Sequence, residues 1–166
     1  MLLFRSTRRV ALAGVVGAAL LVAGGTARAG APPADLNADA TGLMLRGYDP
    51  VAYFTTGQPT PGSAEFQASH GAAVFRFANA GNRDAFVSDP PRYLPAYGGF
   101  CAMGTTLEKK LDGDPQVWRI VDDRLYLNVN ADVQKRWSED IAGNIAKAEL
   151  VWPEIRDVPA DVLNAK

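Results

Sequence analysis

Residues 65–93 read E-F-Q-A-S-H-G-A-A-V-F-R-F-A-N-A-G-N-R-D-A-F-V-S-D-P-P-R-Y, and this stretch decides the fold class. Glu65 to Ser69 and Ala73 to Ala78 form two short strands around His70-Gly71. Phe75 and Phe77 lie two residues apart, which puts them on one face of the second strand. Asn79 is a natural N-cap because its side-chain oxygen can take a free N–H of the first helical turn. A helix is therefore expected from Ala80 to about Ser88, with Ala85 and Phe86 inward. Pro90-Pro91 stops it.

The same grammar repeats downstream. Val117–Val121 and Arg124–Val129 flank a two-residue Asp122-Asp123 turn. Leu125, Leu127 and Val129 alternate as one buried face requires. Asn130 caps a final helical stretch in which Val133, Trp137, Ile141, Ile145, Ala148 and Trp152 recur every three or four residues. Gly143 is expected to divide this stretch into two helices, and Pro153 to end it. Upstream, Asp49 suits an N-cap and Pro50 the first position of a short helix. The fold class is α+β: a small domain of two β-hairpins with short helices packed on them.

Residues 1–29 have a different character. Arg5, Arg8 and Arg9 precede an uncharged run from Val10 to Gly24, and Ala27-Arg28-Ala29 follows. This is the order of an export signal. The run is shorter than the roughly 20 residues that span a bilayer, so no membrane anchor is expected after cleavage. Thr7-Arg8-Arg9-Val10-Ala11-Leu12 resembles a twin-arginine signal, with Ala11 where that pattern usually has Phe. The expected organisation is a signal peptide at 1–29, a flexible leader at 30–40, a domain at 41–157 and a tail at 158–166. The expected location is the periplasm.

Charge and composition narrow the function. The chain has 166 residues and a net charge of −1. The four arginines of residues 1–29 leave 13 basic against 18 acidic residues in the remainder, a net of −5. Such a body does not suit nucleic acid, whose phosphates need clustered Lys and Arg. There is one cysteine, Cys101, and one histidine, His70. An internal disulfide, a cysteine-rich zinc site and a multi-histidine site are all impossible within one chain. No Gly-x-Ser-x-Gly, His-Glu-x-x-His, phosphate-loop or dinucleotide pattern occurs. Asp112, Asp114, Asp122 and Asp123 lack the ligand spacing of a calcium loop and read as solvated surface.

Several segments resemble one family, the exported YHS-domain proteins. They are Gly47-Tyr48-Asp49-Pro50-Val51-Ala52-Tyr53-Phe54, Phe75 through Phe86 with Asp89-Pro90 and Tyr93, and Tyr97-Gly98-Gly99-Phe100-Cys101-Ala102. Leu125-Tyr126-Leu127-Asn128, Lys135-Arg136-Trp137 and Gly143 to Ala148 extend the likeness, which covers about residues 45–153. Metal-handling YHS domains carry a Phe-Cys-Ser-x-x-Cys motif. Laid on this sequence, its two cysteines fall on Ala78 and Asn82, so the resemblance implies a retained scaffold without that site.

The remaining candidates for metal are Cys101, Met103 and His70. A thiolate and a thioether are soft donors suited to a transition metal such as copper. Were residues 101–103 extended, Cys101 and Met103 would face the same side, and His70 could add a nitrogen. The competing reading makes Cys101 a small buried residue, Met103 core filler and His70 a turn residue. A third reading pairs Cys101 as nucleophile with His70 as base; no catalytic residue is assigned on it. Tyr48, Tyr53, Tyr93 and Tyr97 either line a pocket or seal the core. The expected function is a non-enzymatic metal-binding module. The alternative is an interaction or scaffold domain whose partner is an unidentified periplasmic protein.

Overall fold

The computed structural model describes residues 33–165. The signal segment and the first residues of the leader lie outside them. The architecture is α+β, with two separate two-stranded antiparallel sheets and short helices around them.

The first hairpin pairs β1 (Ser63–His70) with β2 (Ala73–Phe77). Its tight turn places His70 opposite Ala73. Ala73, Phe75 and Phe77 are buried while Val74 and Arg76 are half-buried, the alternation expected of a half-covered sheet. Upstream of this hairpin, α1 (Ala52–Thr55) is short. Downstream, α2 (Ala80–Ser88) starts where the Asn79 side chain accepts from the Asn82 N–H at 2.9 Å. Phe86 from α2 packs on Phe75 and Phe77 with ring centroids 4.7 and 5.2 Å away. Burying one such phenylalanine contributes about 1.5–3 kcal/mol. Pro90-Pro91 does more than end α2: it opens α3 (Pro90–Tyr93), where proline's fixed φ and missing N–H cost nothing.

After α4 (Ala102–Thr106) comes the second hairpin, β3 (Asp114–Val121) with β4 (Arg124–Asn128). Asp122 and Asp123 both take positive φ, 48° and 56°, as a two-residue hairpin turn requires. β4 departs from the expected one-sided pattern. Leu125 and Leu127 face the first core, with Phe75, Phe77 and Phe86. Tyr126 faces a second core of Ala96, Tyr97, Ala102, Trp137 and Ala148. β4 is thus a partition buried on both sides, which its sequence alternation does not reveal because tyrosine reads as a surface or a core residue.

The C-terminal helices also divide differently from expectation. α5 (Ala131–Trp137) is followed by a tight turn at Ser138–Asp140 and then by α6 (Ile141–Ile155). The break precedes Gly143. Asp140 caps α6 by accepting from the Gly143 N–H at 2.9 Å, and a Cβ on residue 143 would collide with that carboxylate. Gly143 therefore permits the cap rather than breaking the helix. Pro153 lies inside α6, which runs on to Ile155.

The described ends, residues 33–40 and 158–165, are packed on the body, unlike the flexible leader expected at 30–40 and the tail outside the domain expected at 158–166. Leu36 and Ala38 pack on the first core, and Asn37 bonds the backbone of Gly98 and Gly99. The tail forms α7 (Ala160–Asn164) with Leu163 buried. Lys110, 1% exposed, joins both ends. Its ammonium donates to the carbonyls of Ala34, Arg156 and Val158 at 2.9, 2.6 and 2.6 Å, beneath the rings of Phe100 and Trp152. Three donors meet three acceptors, so this buried lysine has the hydrogen bonds its charge needs.

Candidate functional site around Cys101

The chain reaches Cys101 through a left-handed turn, Tyr97-Gly98-Gly99, with φ of 52°, 59° and 85°. Gly98 is obligatory, because a Cβ there would run into the Asp35 carbonyl. Tyr97 adopts this region at a cost of about 1–2 kcal/mol. Its burial against Tyr126 and Trp152, with the hydroxyl 3.2 Å from Glu149 Oε1, offsets that cost.

The turn delivers Cys101 to the N-cap of α4, not to a strand. Its backbone N–H bonds Leu111 O at 2.8 Å, and its carbonyl accepts from Thr105 N at 2.9 Å. The side chain is fully buried. Sγ accepts from the Gly104 N–H at 3.3 Å, the role an N-cap serine hydroxyl usually fills. Sγ also lies 3.6 Å from Asn128 Oδ1. The Met103 N–H donates to that same oxygen at 3.3 Å, which fixes the orientation of the Asn128 amide. With an acceptor opposite it, the sulfur must keep its proton and donate. Burial pushes the Cys101 thiol pKa up, against opposing N–H bonds from Gly104, Val129 and Met103. Asn128 Nδ2 is buried without a partner.

The other two candidate ligands are placed as follows. Met103 is the second residue of α4, half-buried against the second core, so the extended geometry that would align it with Cys101 is absent. Its sulfur lies 3.9 Å from Thr106 Oγ1. His70 belongs to the first hairpin, where it is exposed at the end of β1 with its ring 6.2 Å from that of Phe86. Cys101 and Met103 thus share the Asn128 amide oxygen, while His70 sits on the first hairpin beside Phe86. No group of three or more His, Cys, Asp or Glu suited to a metal occurs among the described residues.

Positions 78 and 82, where the family motif has cysteines, meet at Asp49. This buried carboxylate accepts from Val51 N and Ala52 N at 2.8 and 3.2 Å, and so caps α1. Its other oxygen accepts from Ala78 N at 2.8 Å and Asn82 Nδ2 at 2.6 Å. One aspartate thus ties α1, the end of β2 and the first turn of α2 together. The sequence points to its capping role; the side-chain bond to Asn82 spans 33 positions and has no local signal.

The tyrosines seal cores rather than line a pocket. Tyr53 is buried, donates to Pro115 O at 2.9 Å and packs edge-on against Trp118 at 5.1 Å. Two clefts do open on the surface, of about 160 and 330 Å³, and both are lined by Asn37, Ala38 and Asp112. Neither is lined by Cys101, Met103 or His70. No protein-family model, curated protein or solved structure matches this chain.

Proposed function

We propose that this chain is an exported, non-enzymatic module of the YHS type that works in the periplasm as a binding or scaffold domain, with Cys101 as a structural residue. The observation that carries this reading is the double role of the Cys101 sulfur. It caps α4 and donates its proton to Asn128 in a site without solvent access. A soft-metal ligand or a nucleophile needs a thiolate, and both need an approach path. The partners of the two residues favour the same reading over a cysteine–histidine enzyme: the His70 ring lies against Phe86, whereas the Cys101 sulfur is held by Asn128 and Gly104.

Cu(I) titration of the mature protein under reducing conditions tests it. The expected result is no stoichiometric uptake by the wild type or by Cys101→Ser. One equivalent bound by the wild type and lost in the variant contradicts it. Export is tested by mass spectrometry of the envelope fraction, where the mature N-terminus should be Gly30. An intact Met1 form in the cytoplasm would refute that part.

A further inference from the structure

The two clefts share one side chain of particular interest. Asp112 lines both, is exposed, and has no hydrogen-bond or ion-pair partner among the described residues. On one side of it the smaller cleft has an aliphatic floor of Leu43, Leu45 and Leu127. On the other side the larger cleft is walled by Leu36, Phe100 and Pro159.

The charge around these walls is unbalanced. Asp39 and Asp112 line the smaller cleft and Asp112 and Asp161 the larger. Hydrogen bonds from the Thr41 hydroxyl and the Leu43 N–H lower the Asp39 pKa, which keeps that carboxylate ionised. The only cationic side chain among the lining residues is Arg46, which has Asp114 3.7 Å away. Lys110 lies behind the larger cleft, with its three N–H groups on backbone carbonyls.

We infer that the larger cleft binds a small hydrophobic organic cation, an aliphatic ammonium whose charge rests on Asp112 and whose chain lies along Leu36, Phe100 and Pro159. Charge complementarity selects a cation, and an apolar lining with few polar groups is the usual build of a small-molecule site. This inference rests on the reading of the chain as a binding module and gives that module a ligand class.

The probe is n-hexylammonium chloride, titrated calorimetrically into the mature protein at low salt, with hexan-1-ol and sodium hexanoate as comparators. The expected result is saturable binding of hexylammonium at least ten-fold tighter than hexanol, with no binding of hexanoate. Asp112→Asn should weaken it at least ten-fold. Asp123→Asn, the same charge change in the β3–β4 turn, should leave it unaltered. Equal affinity for hexanol and hexylammonium, equal binding by Asp112→Asn, or no saturable heat with hexylammonium would each overturn the proposal. Cu(I) titration of the same sample keeps the two readings apart. A failed amine titration without Cu(I) uptake removes only the ligand class, whereas Cu(I) uptake with amine binding removes only the structural role of Cys101.

Discussion

The two sides of β4 are built on different principles. On one side, Leu125 and Leu127 meet Phe75, Phe77 and Phe86 in a core without a buried thiol or amide. On the other, Tyr126 meets Tyr97 and Trp137, and nearby lie the thiol of Cys101 and the amide of Asn128. Asn128 Nδ2 and Trp137 Nε1 are buried there without partners. The first side is organised by aromatic packing, with the Asp49 carboxylate tying its elements together at the edge. The second depends on a strained turn, a defined protonation state and an oriented amide. Polar atoms in a core are informative because each unmet bond costs far more than a lost apolar contact.

The largest expected effect is on the first side. Phe86→Ala removes the ring that meets both strand phenylalanines and should cost about 3–5 kcal/mol, read as a fall in the denaturation midpoint. A loss below about 1 kcal/mol would show that the cavity collapses and that the aromatic wedge is not the organising contact.

Next comes the clamp that holds the ends against the body. Lys110→Met leaves three carbonyls without their donor, at a cost of about 1–3 kcal/mol for each that water does not reach. Hydrogen exchange should accelerate at both 34–38 and 158–164. Acceleration at one end alone would show that Lys110 does not couple them.

The thiol itself gives a smaller and more specific effect. Cys101→Ser keeps an acceptor for Gly104 N–H and a donor for Asn128, so the change should stay within about 1 kcal/mol. Cys101→Val loses both bonds and adds volume, and should cost about 1–3 kcal/mol. Equal stability of the two variants would mean that the sulfur's hydrogen bonds contribute nothing. In pH, the sign follows from the raised Cys101 value. The unfolded thiol ionises from about pH 8.5 while the folded one stays protonated, so stability is fully present below that pH and declines above it. Buried Tyr53 and Tyr97, also raised by desolvation, add a second decline that begins near pH 10. Cys101→Ala should remove the first decline and keep the second. His70→Ala, at an exposed strand end, should change stability by less than about 0.5 kcal/mol.

The same contrast explains what the sequence could show. Both hairpins, the Asn79 and Asn130 caps and the Asp122-Asp123 turn are legible because each depends on neighbours within a few positions. The helix break at Ser138–Asp140 is misplaced at Gly143 because glycine reads as a breaker unless its contact with the Asp140 carboxylate is known. The packed leader and tail are missed because their partner is Lys110, 76 and 46 positions away from Ala34 and Arg156. At the candidate site, Cys101 stands out by its rarity. Its surroundings do not, because Asn128 and Gly104 approach it through folding, and Asp112 reads as ordinary surface until the clefts on either side of it are seen.

The most direct test of Cys101 as a structural thiol is its ionisation. The lone cysteine, labelled at Cβ, gives a single unambiguous carbon resonance. The account predicts a thiol shift that holds from pH 6 to above the free-cysteine value of about 8.5 and does not respond to Cu(I). A thiolate shift at pH 7, or a shift driven by one equivalent of Cu(I), would contradict it.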